Sequence, residues 1–173
     1  ACNRICSYVV LENKVTGSKY IHMNTHLDHV STEAQNLGGN LILSKANELK
    51  QKYSDIKIVI TGDFNQSVDG EAVKILSANG FVSANTVVEN GDKIATFHSW
   101  TGITEDAPID FIFADETLEI KSYNVHSQKQ TNSFVSDHYM IYGDFKLLAY
   151  EEDLQAYVDT CNYDAKFYTA ASW

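Results

Sequence analysis

The side chains best suited to chemistry in this sequence fall into four short groups. Asn24, His26, Asp28 and His29 crowd ligands and proton carriers into one polar stretch, and Asp63 and Asn65 flank Phe64 just after Gly62. Asp110 is a lone acid in the apolar run Pro108-Ile109-Asp110-Phe111-Ile112-Phe113, and Ser136-Asp137-His138 opens the last apolar run. A carboxylate supplies charge or takes a proton, an amide offers a donor and an acceptor without charge, and an imidazole titrates near neutral pH. Two of these groups also have a plainer explanation. Gly62-Asp63-Phe64-Asn65 can be an Asx turn capping a strand, and the His26 group can be a loop with incidental histidines.

The elements around these groups decide how they are presented. The β-branched run Ile56–Ile60 reads as a buried strand, and Gly62 lets the backbone turn behind it. Asp63 and Asn65 therefore lie just past a strand's carboxyl end, where a rigid sheet meets an open loop. Ile5 to Leu11 and Tyr20 to Thr25 read as hairpin partners about the turn Lys14-Val15-Thr16-Gly17-Ser18, the second strand running into the His26 group. Thr32-Glu33-Ala34-Gln35 fits a capping box that opens a helix to about Tyr53, with Leu37, Leu41, Ile42, Ala46, Leu49 and Tyr53 near one face. Gly38-Gly39 weakens its first turns.

A second helix is expected from Gly70 to Asn79, with Ala72, Val73, Leu76 and Ile75 turned inward and Asn79-Gly80 as its stop. Asn90-Gly91-Asp92 reads as a turn. In the Pro108–Phe113 strand, alternation puts Ile109, Phe111 and Phe113 on one face and Asp110 and Ile112 on the other. A buried carboxylate in that position needs a partner. Leu118–His126 and Tyr139–Leu148 read as further strands, joined by a polar loop. His22 and His126 fall within strands and read as structural. Residues 149–173 turn acidic and Tyr-rich and read as a tail or short helix outside a main domain of residues 1–148.

Composition sets the broad class. The 173 residues suit one domain, and apolar and charged fractions of 44% and 21% are those of a globular chain. A net charge of −10 argues against a broad basic surface for duplex nucleic acid, although an acidic protein can still reach a phosphate ester through a divalent cation. No apolar run approaches membrane-span length, and the first residues do not read as a signal peptide. The sequence lacks an initiator Met, which is expected if an N-terminal portion has been removed or left out. Cys2, Cys6 and Cys161 show no metal-ligand spacing. Cys2 and Cys6 in one strand would lie ~13 Å apart, too far to bridge, which leaves the compartment unassigned.

In order and spacing, Asn24-Thr25-His26, Gly62-Asp63-Phe64-Asn65, Pro108-Ile109-Asp110 and Ser136-Asp137-His138 resemble the endonuclease/exonuclease/phosphatase superfamily, the fold shared by DNase I, deadenylases and inositol-polyphosphate phosphatases. The resemblance covers roughly residues 4 to 147. It implies a mixed α/β, four-layer αββα sandwich of the DNase I-like type, and a hydrolase that uses Mg²⁺ or Mn²⁺ to direct water onto phosphorus. By match to the family motifs, Asp63 would deprotonate the water, Asn65 would hold the water or a phosphate oxygen, and Asp137, with Asp63 and Asn65, would serve the metal. His138 would contact the phosphate or carry a proton with Asp110 orienting its ring, and His26 would donate to the phosphate. Asn24 and Trp100 would meet the substrate, Trp100 of Phe97-His98-Ser99-Trp100 by stacking on a base or sugar face, the plainer reading of Trp100 being a packing residue in a long loop. The substrate would be a phosphate ester: nucleic acid, nucleotide, sugar phosphate or lipid head group.

The family's first half supplies an Asn and a Glu to the metal site, from strands with no counterpart in this sequence. The resemblance therefore implies a C-terminal portion of a longer domain, monomeric when intact, and inactive as this truncated chain if those ligands are needed. Two other readings compete. A metallo-β-lactamase-like zinc hydrolase would use His-x-His-x-Asp-His, but Asn24 stands at the first of those positions ahead of His26, Asp28 and His29. A binding module could instead keep the fold without turnover.

Overall fold

The computed structural model describes residues 2–14, 17–54, 56–89, 93–104, 107–129, 133–147 and 165–168. The chain opens with the hairpin β1 (Cys6–Glu12) and β2 (Lys19–His26), closed by hydrogen bonds from Asn13 N to Ser18 O and from Gly17 N to Asn13 O. Helix α1 (Thr32–Lys52) crosses over to β3 (Lys57–Asp63), which lies parallel to β2. Then follow α2 (Glu71–Ser77), β4 (Phe81–Ser83), the single turn α3 (Ala84–Val87) and β5 (Asp110–Asp115). These strands form one sheet in the order β1-β2-β3-β5-β4. The strands β6 (Leu118–His126), β7 (Met140–Leu147) and β8 (Ala165–Tyr168) form a second, antiparallel sheet.

Period-two alternation sorts the first sheet's side chains into two cores. Ile21, Met23, Ile58, Ile60, Phe111 and Phe113 face α1 and α2, packing with Ile42, Ala46, Leu49, Val73 and Leu76. Val59, Ile112 and Ala114 point the other way, onto Leu118, Tyr123, Ile141 and Phe145 of the second sheet. The layers are thus helices, five-stranded sheet and three-stranded sheet. A helical layer outside the second sheet is not formed among the described residues. Gly39 allows the two helices to meet, since a Cβ there would fall 2.8 Å from Ala72 Cα.

Several local expectations change. The N-cap of α1 is Ser31, whose hydroxyl accepts from Ala34 N at 3.2 Å; Thr32 is already helical, and Gln35 does not reach back to the cap. Leu37 and Leu41 lie on the exposed side of α1, at 58% and 71% exposure, while Ile42, Ala46 and Leu49 are buried. The strand after Pro108 begins only at Asp110. Residues 165–168, expected in a tail or short helix, pair with β7 as β8, while residues 148–164 and 169–173 lie outside the described residues. The turn at Asn90-Gly91-Asp92 and Cys161 also lie outside them, and Cys2 and Cys6 are unpaired thiols.

Candidate active site

Three neighbouring strands deliver the site. The parallel register of β2 and β3 sets His26 beside Asp63, and the antiparallel register of β3 and β5 sets Asp63 beside Asp110. Strand polarity therefore brings the ends of β2 and β3 and the start of β5 to one edge of the sheet. His138 comes from the loop before β7, anchored by a β-bridge to Phe97 and by Tyr139 N donating to Thr96 O. Its Nδ1 lies 2.7 Å from Asp110 Oδ2, and its Nε2 lies 3.8 Å from Asp63 Oδ2. His26 Nε2 lies 3.4 Å from the same Asp63 oxygen.

The turn after β3 is both a local cap and a chemical group. Asp63 Oδ1 accepts from Asn65 N at 2.8 Å, the Asx turn that the sequence allows. Asn65 is held in the left-handed region at φ 50°, and its amide donates to Leu27 O at 3.0 Å. Gly62 has no room for a side chain, because a Cβ would fall 2.0 Å from Thr25 O at a φ of 149°. Gln35, read from sequence as a cap, is instead a buried spacer. Its amide donates to Asp28 O at 2.7 Å and to Asn65 O at 3.0 Å, and its carbonyl accepts from Gln66 at 2.9 Å. One side chain thus ties the loop after β2 to the loop after β3, and an amide in the first turn of α1 was its sequence signal.

The electrostatics follow from burial and crowding. Asp63 and Asp110 are 6% and 5% exposed and adjacent, so burial first, and the Asp110 charge second, push the Asp63 carboxyl up to about 7. For His138, burial favours the neutral ring, but the hydrogen bond to Asp110 and the charges of Asp110, Asp63 and Asp137 outweigh it and raise its pKa. His26 is lowered, by burial first and then by the charges of Arg4 and His138. Asp63, Asp110 and His138 offer ligand atoms within 4.8 Å of one another. Two crowded carboxylates fit a hard divalent cation, which takes oxygen ligands and would relieve their repulsion.

The remaining predicted residues are placed as follows. Asp137 is half-buried, with Oδ1 3.4 Å from Ser136 Oγ and its carbonyl accepting from His98 N and Ser99 N; it stands outside the Asp63–Asp110–His138 group. Asn24 is exposed on β2, and its amide donates to Thr61 Oγ1 at 2.8 Å. Trp100 is 59% exposed in a loop where Ser99 and Trp100 both have positive φ. His22 Nε2 lies 2.8 Å from Thr61 Oγ1, consistent with a structural role. The zinc-type stretch does not converge. Asp28 accepts from the backbone N–H groups of Ser31, Cys2 and Val30, which hold its carboxyl far below the usual range, and His29 accepts from Arg4.

Over a portion of the domain the chain has the fold of solved endonuclease/exonuclease/phosphatase proteins. An endonuclease/exonuclease/phosphatase of Bacteroides vulgatus matches with 29% identity and a TM-score of 0.71, over 84% of this chain and 56% of that one. The mannosyl-6-phosphatase Bt3783 of Bacteroides thetaiotaomicron matches with 21% identity and a TM-score of 0.73, over 83% and 57%. The human Nocturnin catalytic domain matches with 21% identity and a TM-score of 0.66, over 84% and 54%. The chain thus spans little more than half the length of these structures. No family model matches the sequence, and no curated protein matches it.

Proposed function

We propose that the protein hydrolyses a phosphate ester by attack of water on phosphorus, with a divalent cation, Mg²⁺ or Mn²⁺, held at this site. The observation that carries the reading is the meeting of Asp63, Asp110 and His138, with His26 at the side, on one sheet edge. Similarity to phosphatases and nucleases of the same fold supports it. In this mechanism Asp63 takes the proton of the attacking water as its oxygen bonds to phosphorus, a role suited to a carboxyl near neutral pKa. His138, kept charged by Asp110, protonates the leaving oxygen as the ester bond breaks. His26 donates its N–H to a non-bridging oxygen.

Asp63 and Asn65 would hold the cation, and Asp137, although its carboxylate stands outside the Asp63–Asp110–His138 group, would be a further ligand. When bound, the cation would neutralise charge developing on the phosphoryl oxygens. Asn65 would steady the water or a phosphate oxygen, and the exposed Trp100 and Asn24 would meet the substrate beyond the phosphorus. The substrate class is a phosphomonoester or phosphodiester, and no helix among the described residues is long and apolar enough to cross a membrane.

The test is turnover of a panel of phosphomonoesters and phosphodiesters with Mg²⁺ or Mn²⁺, repeated in chelator. The expected result is metal-dependent release of phosphate or of a phosphomonoester, abolished by chelation. Undiminished turnover in chelator, or no turnover of any ester by the intact protein, would reject the reading.

A further inference from the structure

The sole arginine in the sequence is Arg4. It belongs to none of the four groups that carry the chemistry, yet the fold places it beside them. The β1–β2 register ends with Cys6 opposite Thr25, so the residues before Cys6 run on past His26 and Leu27. That segment is pinned on both sides of Arg4. Thr25 Oγ1 donates to Ile5 O at 3.1 Å, and Cys2 N donates to Asp28 Oδ2 at 2.5 Å.

The guanidinium is aimed but unsatisfied. Arg4 Nη2 donates to His29 Nδ1 at 3.1 Å, which requires His29 to be the tautomer carrying its proton on Nε2. Arg4 Nε is buried without a hydrogen-bond partner, and no carboxylate lies within ion-pair distance of Arg4 among the described residues. The nearby Asp28 is already engaged by three backbone N–H groups. A half-buried cation with an empty N–H is costly unless an anion meets it. Its charge is also felt where the chemistry would occur, adding to burial in lowering His26 and opposing part of the rise of the Asp63 carboxyl.

We propose that Arg4, oriented by His29, is an anion-binding residue of this site that receives a non-bridging oxygen of the phosphoryl group. The inference rests on the phosphoesterase reading above and adds a residue to it. A planar fork of N–H donors matches the spacing of phosphate oxygens, which a lysine ammonium does not reproduce. It would also add positive charge opposite the crowded carboxylates of Asp63 and Asp110, which repel an anion. His29 acts here as a positioning residue, through Arg4 rather than on the substrate.

The test titrates inorganic phosphate into the full chain by calorimetry, comparing wild type with R4Q, R4K and H29Q, each checked for an unchanged thermal transition. Loss of a charge-assisted donor should weaken phosphate binding by about tenfold or more in R4Q. R4K should recover part of it, and H29Q should weaken it by less than R4Q. Wild-type affinity in R4Q would overturn the inference. If R4Q fails to fold, R4K decides: affinity equal to wild type would count against the fork, and a several-fold loss would support it. Ester turnover separates the two claims. A protein that binds phosphate through Arg4 but hydrolyses no ester rejects the phosphoesterase reading alone. Turnover with unchanged KM and kcat in R4Q rejects the role of Arg4 alone.

Discussion

The two faces of the five-stranded sheet are built from the same strands and do opposite things. On the helix side Ile21, Met23, Ile58, Ile60, Phe111 and Phe113 are all fully buried. On the other side Val59, Ile112 and Ala114 are covered by the second sheet, whereas Asn24 is exposed and His22 and His26 are half-buried next to Thr61 and Asp63. The two reactive carboxylates therefore each have a fully buried aromatic neighbour one residue away in sequence. Asp110 is followed by Phe111, and Asp63 by Phe64, which is buried at the edge of both Phe111 and Phe113. The apolar face is what makes the polar face precise in position, since a shift of Asp63 would require Phe64 to leave a packed core.

The most severe break of this arrangement comes from the apolar side. Phe111→Ala should cost about 3–5 kcal/mol of stability through the cavity it leaves, measured by chemical denaturation. If the faces are coupled as described, turnover should fall as well, even at a temperature where the variant remains folded. Unchanged turnover in a folded Phe111→Ala protein would show that Asp110 holds its place without the core beneath it.

A smaller change on the polar side should act with the opposite sign. Asp63 ionises near 3.8 when exposed and near 7 in the fold, so between those values the folded chain binds more protons than the unfolded one. Stability therefore falls as pH rises through that window and stays reduced above it. Asp63→Asn should remove the decline and gain roughly 1–3 kcal/mol at pH 8 in chelator, while abolishing turnover. The check is a series of thermal melts from pH 4 to 8. A variant less stable than wild type at pH 8 would show that Asp63 is not strained by Asp110.

Much of this arrangement was legible in the sequence, for identifiable reasons. The alternation of Ile109 to Phe113 assigned Asp110 to the face opposite Phe111, and the β-branched run before Gly62 located Asp63 at a strand end. Both are period-two signals that a sheet must obey. The rest depended on long-range partners. Gln35 looks like a capping-box residue because its spacing from Thr32 is right, but two loop carbonyls, Asp28 O and Asn65 O, compete for its amide. Leu37 and Leu41 fit a helical stripe, but α1 buries the stripe centred on Ile42, Ala46 and Leu49. The strand β8 was hidden because an edge strand of Ala165–Tyr168 carries little pattern of its own and is defined by pairing with β7. Arg4 was missed because nothing local marks it, and only the hairpin register brings it to His26 and His29.

The claim at the centre of the account is that Asp110 and His138, 28 residues apart in sequence and 2.7 Å apart in space, act as one unit. The direct measurement is a double-mutant cycle in turnover, with Asp110→Asn, His138→Ala and the combined variant each assayed against Mg²⁺ concentration. Asp110→Asn should slow turnover by disturbing His138 while leaving the Mg²⁺ dependence nearly unchanged, and the double variant should be little slower than His138→Ala alone, because both substitutions remove the same interaction. Losses that simply multiply would contradict the account and leave Asp110 as a structural carboxylate.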